Sequence, residues 1–462
     1  MSSKNNVTYD AAVIGVGQAG NPLIKKLVSE NWNIAVIEQE FEGGSCINYG
    51  CTPTKAMISS AKIAYMAQNA NQWGIITRDV EADFQKVIER RNRIVEMFRK
   101  STTDFLEGNE NIAFYRGTAS FHDEKSLTIT DNHGKQQTIQ AGKIFINTGT
   151  VPRIPGIPGL HNVNFHTSKN WMEITTLPKK LAIVGGGYIG LEFAQMFHRL
   201  GSEVTLFQNG SQLMPREDED IAAEMKSILE KEGIDIHLEA NIHNVKNENN
   251  TIKITYETPD GRGETSASNL LVAAGTNAAI HDLHLENAGI STDKREYIKV
   301  NEKMETSTAN IFAMGDVKGG PEFTHIAYDD YRILENHLFG DDKRFISDRP
   351  IPYTLFTDPQ LGRIGFNEKM AKKSNVDFRL AKINANYIAR SIETGHEKGL
   401  LKVLIADNDT ILGASLLMDE GGELMAALQI AMMGKITYQQ LQDGVFAHPT
   451  YAEGFNTLFG SI

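Results

Sequence analysis

Apolar positions along the chain come in short unbroken runs separated by stretches where they recur every three or four residues. Residues 11–14 (AAVI) form one such run. A glycine turn follows, then NPLIKKLVSE, then a second run, NIAVIE, ending at Glu38. Unbroken runs of this length between turn signals predict strands, and the stretch between them predicts a helix. The same order recurs in LAIVGGGYIGLEFAQMFHRLGSEVTLFQ, which ends at Gln208. Between the two units, TKAMISSAKIAYMAQ predicts a helix, with Thr52 as its N-cap and Pro53 in its first turn. Residues 81–106 predict a long charged helix lying on the solvated surface. IAFYRGTASF, SLTITD and QQTIQAGKIFINTGT read as strands, joined by turns such as Asn132-His133-Gly134. VPRIPGIPGL, with three prolines in ten residues, predicts a crossing between domains. KVNEKMETSTANIFAMGDV ends in a strand, and FTHIAYDDYRILENHLF follows as a helix. From about residue 350 the segments PYTLFTDPQLGRIGF and GLLKVLIADNDTILGASLLM predict an antiparallel sheet with a hairpin at 407–410, then an apolar helix, GGELMAALQIAMMGK.

The turns inside the two repeated units carry chemistry. The first is Gly15-x-Gly17-x-x-Gly20, with Glu38 lying 18 residues past the last glycine. Glycines let backbone approach a pyrophosphate, whose charge the helix N-terminus stabilises, and an acid at the end of the second strand accepts from an adenosine ribose. The second is Gly185-x-Gly187-x-x-Gly190, with Gln208 at the matching position. Two units predict two dinucleotides. An amide at 208 bonds a ribose hydroxyl without repelling a 2′-phosphate, and the four residues after it hold no Lys or Arg to bind that phosphate. The choice between NADH and NADPH stays open, leaning to NADH. The fold class expected is α/β, with two Rossmann-like dinucleotide-binding domains and a C-terminal α+β domain.

Directly after the first unit comes GGSCINYGCTPTK, residues 43–55, holding Cys46 and Cys51, the only cysteines of the 462 residues. A cysteine beside a helix N-terminus sits in the positive end of the dipole, which favours its thiolate. Two ordinary buried cysteines are the plain alternative. The formal net charge of −12 argues against nucleic acid or an anionic membrane as main partner. The polar start MSSKNNVTYD shows no signal peptide, and no apolar run approaches a membrane span. A cytoplasmic protein is expected, where a cysteine pair is more often catalytic than structural. No metal site is predicted. Two further positions stay open on their own residues. Asp316 after Gly315 reads best as an Asx-turn. His448 before Pro449, with Glu453 five residues on, is a base candidate in a kind of turn that is more often structural.

Taken together, GVGQAG, GGSCINYGCTPTK, GTVPRIPGIPG, GGGYIGLE, AMGDV and FAHPTYAEG resemble, in order and spacing, the pyridine nucleotide–disulfide oxidoreductases of the glutathione reductase and dihydrolipoamide dehydrogenase type. GQAG, FTDPQLGRIGF and FAHPTYAEGFNTLF resemble the bacterial mercuric-reductase-like branch, which is also similar to a copper-reducing flavoprotein of reactive-chlorine defence. The resemblance implies an FAD-binding domain at 1–149 and 271–345, an NAD(P)-binding domain at 150–270 and a C-terminal dimerisation domain at 346–462. It implies FAD at the first glycine motif, NAD(P)H at the second, and electron flow from NAD(P)H through flavin to a Cys46–Cys51 redox disulfide. By the same resemblance Cys51 faces the flavin and Cys46 attacks substrate. Lys55 and Glu192 stabilise charge beside the flavin, Asp316 contacts its ribityl chain, and Tyr188 gates the nicotinamide pocket. Gly44, Thr148, Gly149 and Gly275 join the cofactor-binding set. His448 and Glu453 become the base and its orienting acid, acting on the opposite subunit of a homodimer.

The acceptor is where the chain departs from its likenesses. Mercuric reductases proper carry a further cysteine pair near the C-terminus, and many carry an N-terminal metal-binding domain. Neither is seen in these 462 residues, and soft thiolates are what hold mercuric ion. Dihydrolipoamide dehydrogenases usually show an acid where Gln208 stands. Three readings follow: a flavoenzyme reducing a small disulfide or a metal ion, a dihydrolipoamide dehydrogenase of a 2-oxoacid dehydrogenase complex, and a redox-sensing flavoprotein without turnover.

Overall fold

The computed structural model describes residues 7–462; residues 1–6, which belong to the polar start and to the first segment assigned above to the FAD-binding domain, lie outside the described residues. The chain divides into two compact units. One gathers Met1–Pro53, Glu89–Arg153 and Gly275–Arg349, the other Thr54–Ile88, Ile154–Ala274 and Pro350–Ile462.

In chain order the first elements are strand β1 (Val7–Ile14), helix α1 (Gly20–Ser29), strand β2 (Ile34–Glu38), helices α2 (Gly44–Asn48), α3 (Cys51–Gln68) and α4 (Phe84–Glu107), and strands β3 (Ile112–Phe121), β4 (Ser126–Asp131) and β5 (Gln136–Ile146). β1 lies parallel between β2 and β5, with Val13 opposite Val36 and Phe145. β3, β4 and β5 then run antiparallel, and strand Ile311–Ala313 adds parallel to β5. Alternate residues of the apolar runs serve opposite faces. Ala12, Ile14, Ala35 and Ile37 pack with Leu127 and Ile144, while Ala11, Val13, Ile34 and Val36 pack with Leu23 and Ile24 of α1 and with Ile333 and Leu334. Burial on both faces is why these strands read as continuous hydrophobic runs.

The second unit holds a parallel sheet and two antiparallel ones, a three-stranded sheet of Asn241–Glu248, Thr251–Thr258 and Gly261–Ala267 and a five-stranded sheet. Strand Lys180–Val184 lies between Glu203–Phe207 and Asn269–Val272. Helix α5 (Tyr188–Leu200) places Phe193 and Phe197 in one core with Leu181, Ile183 and Leu206, a core that also takes Met57 and Ala61 of α3. The five-stranded antiparallel sheet runs Tyr353–Leu355, Gln360–Gly365, Ile411–Met418, Leu400–Ile405, Arg379–Asn384. Its hairpin closes where expected, with Ala406 N–H donating to Thr410 O. Helix Gly421–Met433 packs against it through Leu424, Met425 and Leu428. Among the described residues no helix is long and apolar enough to cross a membrane.

Two local expectations need correction. Helix α3 begins at Cys51, so Thr52 lies inside its first turn and Cys51 belongs to the helix. Helix α4 is not a wholly solvated element: Phe84, Ile88, Arg91, Val95, Thr102 and Leu106 are buried along one stripe. These positions recur at helical spacing, but dense charges between them masked the stripe.

Candidate functional site

The first glycine turn is built by close backbone approach. Gly15 adopts a φ of 95°, and its N–H donates to Ile37 O at 2.8 Å. A Cβ on Gly20 would stand 2.3 Å from Gly15 O, so helix α1 can start there only with glycine. Asn147, at the end of β5, donates from Nδ2 to Gly15 O at 3.2 Å, and its N–H donates to Ile14 O. Glu38 Oε2 accepts from Val16 N–H at 2.9 Å and Oε1 from Glu40 N–H. Burial raises the Glu38 pKa despite those donors. Around this turn Asn21 Oδ1 and Thr148 Oγ1 are buried and have no hydrogen-bond partner among the described residues. Asp316 sits in a short helical turn after Gly315, whose N–H donates to Asp330 Oδ2 at 2.7 Å. Burial and then the Glu322 carboxylate push Asp316 up to about 7.

The cysteine segment is fastened to the same turn. Gly43 N–H donates to Val16 O at 2.9 Å, and Gln18 Nε2 donates to Gly43 O. Gly44 has a φ of 66°, and a Cβ on it would lie 2.7 Å from Gly17 Cα. Asn48 ties the segment into a loop by donating to the carbonyls of Glu42 and Gly44, and Arg99 Nε donates to Asn48 Oδ1. Cys46 lies in α2, and Cys51 opens α3 with its Sγ 3.2 Å from Thr324 Oγ1. Thr324 in turn starts helix Thr324–Phe339. One turn into α3, Lys55 Nζ meets Glu192 Oε2 at 2.7 Å and lies over the Phe356 ring. Glu192 Oε1 accepts from Phe356 N–H at 3.0 Å.

The second glycine turn repeats the first closely. Gly185 N–H donates to Phe207 O, and a Cβ on Gly190 would lie 1.9 Å from Gly185 O. Gly186 N–H donates to Gln208 Oε1 at 3.0 Å, just as Val16 N–H donates to Glu38. At Gly187 the backbone is extended and a Cβ would meet nothing within 4 Å. The Tyr188 hydroxyl donates to Glu217 Oε1 at 2.5 Å, and Tyr353 donates to the same oxygen at 2.6 Å. Arg363 Nε holds the other oxygen of this fully buried carboxylate. Burial, then the Glu217 charge, raise the Tyr188 pKa. His448 Nδ1 lies 2.8 Å from Glu453 Oε2 and 3.0 Å from Oε1. The His448–Pro449 bond is cis, and the imidazole is 66% exposed.

Gly149 and Gly275 both take positive φ, and a Cβ on Gly275 would meet the Arg153 guanidinium. Sequence reasoning missed Asn147, Thr324, Phe356 and Glu217. No spacing signal links Thr324 to Cys51 across 273 residues. Asn147 had one: a polar side chain directly after the apolar run of β5. The residues present fit both cofactors. The first turn offers unsatisfied buried polar atoms beside a helix N-terminus, and the second keeps open space at Gly187, where a side chain would cost the fold nothing.

Comparison with known proteins agrees. Residues 9–330 match the pyridine nucleotide-disulphide oxidoreductase family, and residues 351–459 match its dimerisation domain. The chain is 36% identical over 460 residues to the probable pyridine nucleotide-disulfide oxidoreductase RclA of Escherichia coli strain K12, covering 98% of this chain and 99% of that one. It is 30% identical to a mercuric reductase of Staphylococcus aureus, over 96% of this chain and 81% of that one. A solved structure, the Cu(II) complex of the HOCl-induced flavoprotein disulfide reductase RclA from Escherichia coli, superposes with a TM-score of 0.89 at 35% identity, covering 98% and 99% of the two chains. The chain belongs to the pyridine nucleotide-disulphide oxidoreductases. It is an NAD(P)H-dependent flavoenzyme of the disulfide reductase type, with two Rossmann-like domains and a C-terminal dimerisation domain.

Proposed function

We propose that the enzyme reduces a thiophilic metal ion, Cu(II), at Cys46. The observation that carries this is the likeness over nearly both full lengths to RclA, a protein solved as a Cu(II) complex. Gln208, standing where dihydrolipoamide dehydrogenases usually show an acid, supports it against lipoamide.

When bound, NAD(P)H would supply, through FAD, the two electrons that open a Cys46–Cys51 disulfide. The chain's own residues do the rest. Gly15, Gly17, Gly20, Gly44, Thr148, Gly149, Gly275 and Asp316 cradle FAD, with Glu38 on its adenosine ribose. Gly185, Gly187, Gly190 and Gln208 bind NAD(P)H, and Tyr188 screens its nicotinamide end. Cys51 is the flavin-facing sulfur, with Lys55 and Glu192 as a charge pair beside the ring. His448 Nδ1–H donates a hydrogen bond to Glu453, which leaves Nε2 to take the proton of the Cys46 thiol. Cys46 and Cys51, both as thiolates, then give one electron each to two Cu(II) ions. Two Cu(I) ions and the re-formed disulfide result, so charge and electrons balance. His448 and Glu453 serve the opposite subunit of a homodimer in the cytoplasm. The FAD-binding, NAD(P)-binding and dimerisation domains take the boundaries expected above.

Anaerobic NADH oxidation by the pure holoenzyme, with Cu(II), Hg(II) or oxidised lipoamide as the sole acceptor, tests this. Turnover with Cu(II), Cu(I) trapped by a specific chelator, and loss of both in Cys46→Ser are expected. Faster turnover with lipoamide, or Cu(I) formation that survives Cys46→Ser, overturns it.

A further inference from the structure

His448 stands on a turn that is mostly exposed, and its Nδ1 hydrogen bond with Glu453 fixes the ring relative to that turn only. Alongside apolar packing of Phe446 and Ala452 on the C-terminal core, the turn is tied down by Tyr451, which lies between His448 and Glu453. Its hydroxyl donates to Asp419 Oδ2 at 2.7 Å and lies 3.0 Å from Thr394 Oγ1. Asp419 is buried at the end of strand Ile411–Met418. Its other oxygen accepts from Lys62 Nζ at 2.9 Å. Lys62 lies on α3, the helix that begins at Cys51 and carries Lys55. Lys62 also faces Asp358 at 3.4 Å, and Asp358 is held by the buried Arg199 at 2.7 Å. Asp419 is therefore shared between a cation on the dithiol helix and a phenol on the His448 turn.

We infer that Asp419 and Tyr451 are positioning residues for the thiol step, coupling the His448–Glu453 turn to helix α3. The inference rests on the reading of His448 as the base for Cys46. It goes beyond that reading by naming what holds the base in place. The mechanism is geometric. A hydrogen bond to a buried carboxylate is directional and strong, and misplacing a catalytic group by a fraction of an ångström slows proton transfer. Burial first, then the hydrogen bond to Asp419 and its charge, outweigh the Thr394 hydrogen bond and push the Tyr451 hydroxyl up to about 12, so it remains a donor throughout the working range.

Tyr451→Phe removes one oxygen and leaves the ring to pack. In the holoenzyme we expect it to lower kcat for NADH-dependent Cu(II) reduction about tenfold, the size of one lost charge-assisted hydrogen bond, with KM for NADH and the rate of flavin reduction by NADH unchanged. Asp419→Asn should follow it. The decisive comparison is Tyr451→Phe in the background of His448→Gln. If Tyr451 acts through His448, the double variant is no slower than His448→Gln alone. Losses that multiply in the double variant, or a Tyr451→Phe enzyme with full kcat, overturn the inference while leaving the base reading intact. A His448→Gln enzyme with full kcat removes the base reading, and this inference with it.

Discussion

Residue-level tests follow from two positions where the flavin-free chain is out of balance. Asp316 has a carboxyl ordinarily near 3.8, and burial, then Glu322, push it up to about 7. A carboxyl with a raised folded-state pKa costs the fold nothing below the unfolded value. The cost grows as pH rises from 3.8 and is complete above 7. Asp316→Asn should therefore raise the Tm of the flavin-free protein at pH 8 and much less at pH 5. Equal shifts at the two pH values would show that the charge is not the cause. Gly187 separates fold from ligand in the same way. Its extended backbone and open surroundings predict that Gly187→Ala folds with unchanged Tm but raises KM for NADH, since on the proposed reading the methyl would occupy space the pyrophosphate takes. Gly190→Ala, with its Cβ 1.9 Å from Gly185 O, should lower Tm as well. Melting curves and steady-state kinetics on the two variants distinguish the positions.

Between elements, charge is concentrated around α5. Arg199 is buried and clamped by Glu232 at 2.8 Å and Asp358 at 2.7 Å, with its guanidinium over the Tyr65 ring. Burial alone would raise the Asp358 pKa; Arg199 and Lys62 outweigh it and hold the carboxyl below its ordinary 3.8. The stability this contributes is present above 3.8 and is lost as pH falls below it. Arg199→Met removes the main cation from two carboxylates, leaving Asp358 with Lys62 and Glu232 with Gln195 and the more distant Lys398, and urea unfolding at pH 7 should show a loss of about 3 kcal/mol. That loss should shrink at acid pH as Asp358 protonates. The contrast between this network and the glycine turns explains what was legible in the sequence. The turns depend on local rules of backbone space, so Gly15, Gly20, Gly185 and Gly190 declare themselves at fixed spacing beside apolar runs. Arg199, Glu232 and Asp358 come from distant segments and follow no local pattern, as do Thr324 beside Cys51 and Glu217 beneath Tyr188. The buried stripe of α4 lay in between: its period was present, but the charges on the other faces dominated the reading. Asp316 and His448 read as ordinary turns from their neighbours alone, and only the order of motifs along the whole chain gave them roles.

Across the whole molecule the question is which chain each catalytic group serves. His448 is bound to Glu453 yet largely exposed on its own chain, and the segment carrying it belongs to a dimerisation domain. If His448 serves the cysteines of a second copy, each site needs Cys46 from one subunit and His448 from the other. Cys46→Ser and His448→Ala homodimers then each lack one group at both sites. In a mixed dimer the Cys46 of the His448→Ala chain meets the His448 of the Cys46→Ser chain, which rebuilds one complete site of two. Random exchange of equal amounts makes about half the dimers mixed, so roughly a quarter of wild-type Cu(II) reduction should return. Recovery requires exchange, so it should appear only after the two proteins are unfolded and refolded together or expressed together. If each chain used its own His448, mixing would return nothing above the sum of the two parents. That result would place the base in the same subunit as its cysteines and confine the proposed coupling of Tyr451 through Asp419 to α3 within a single site.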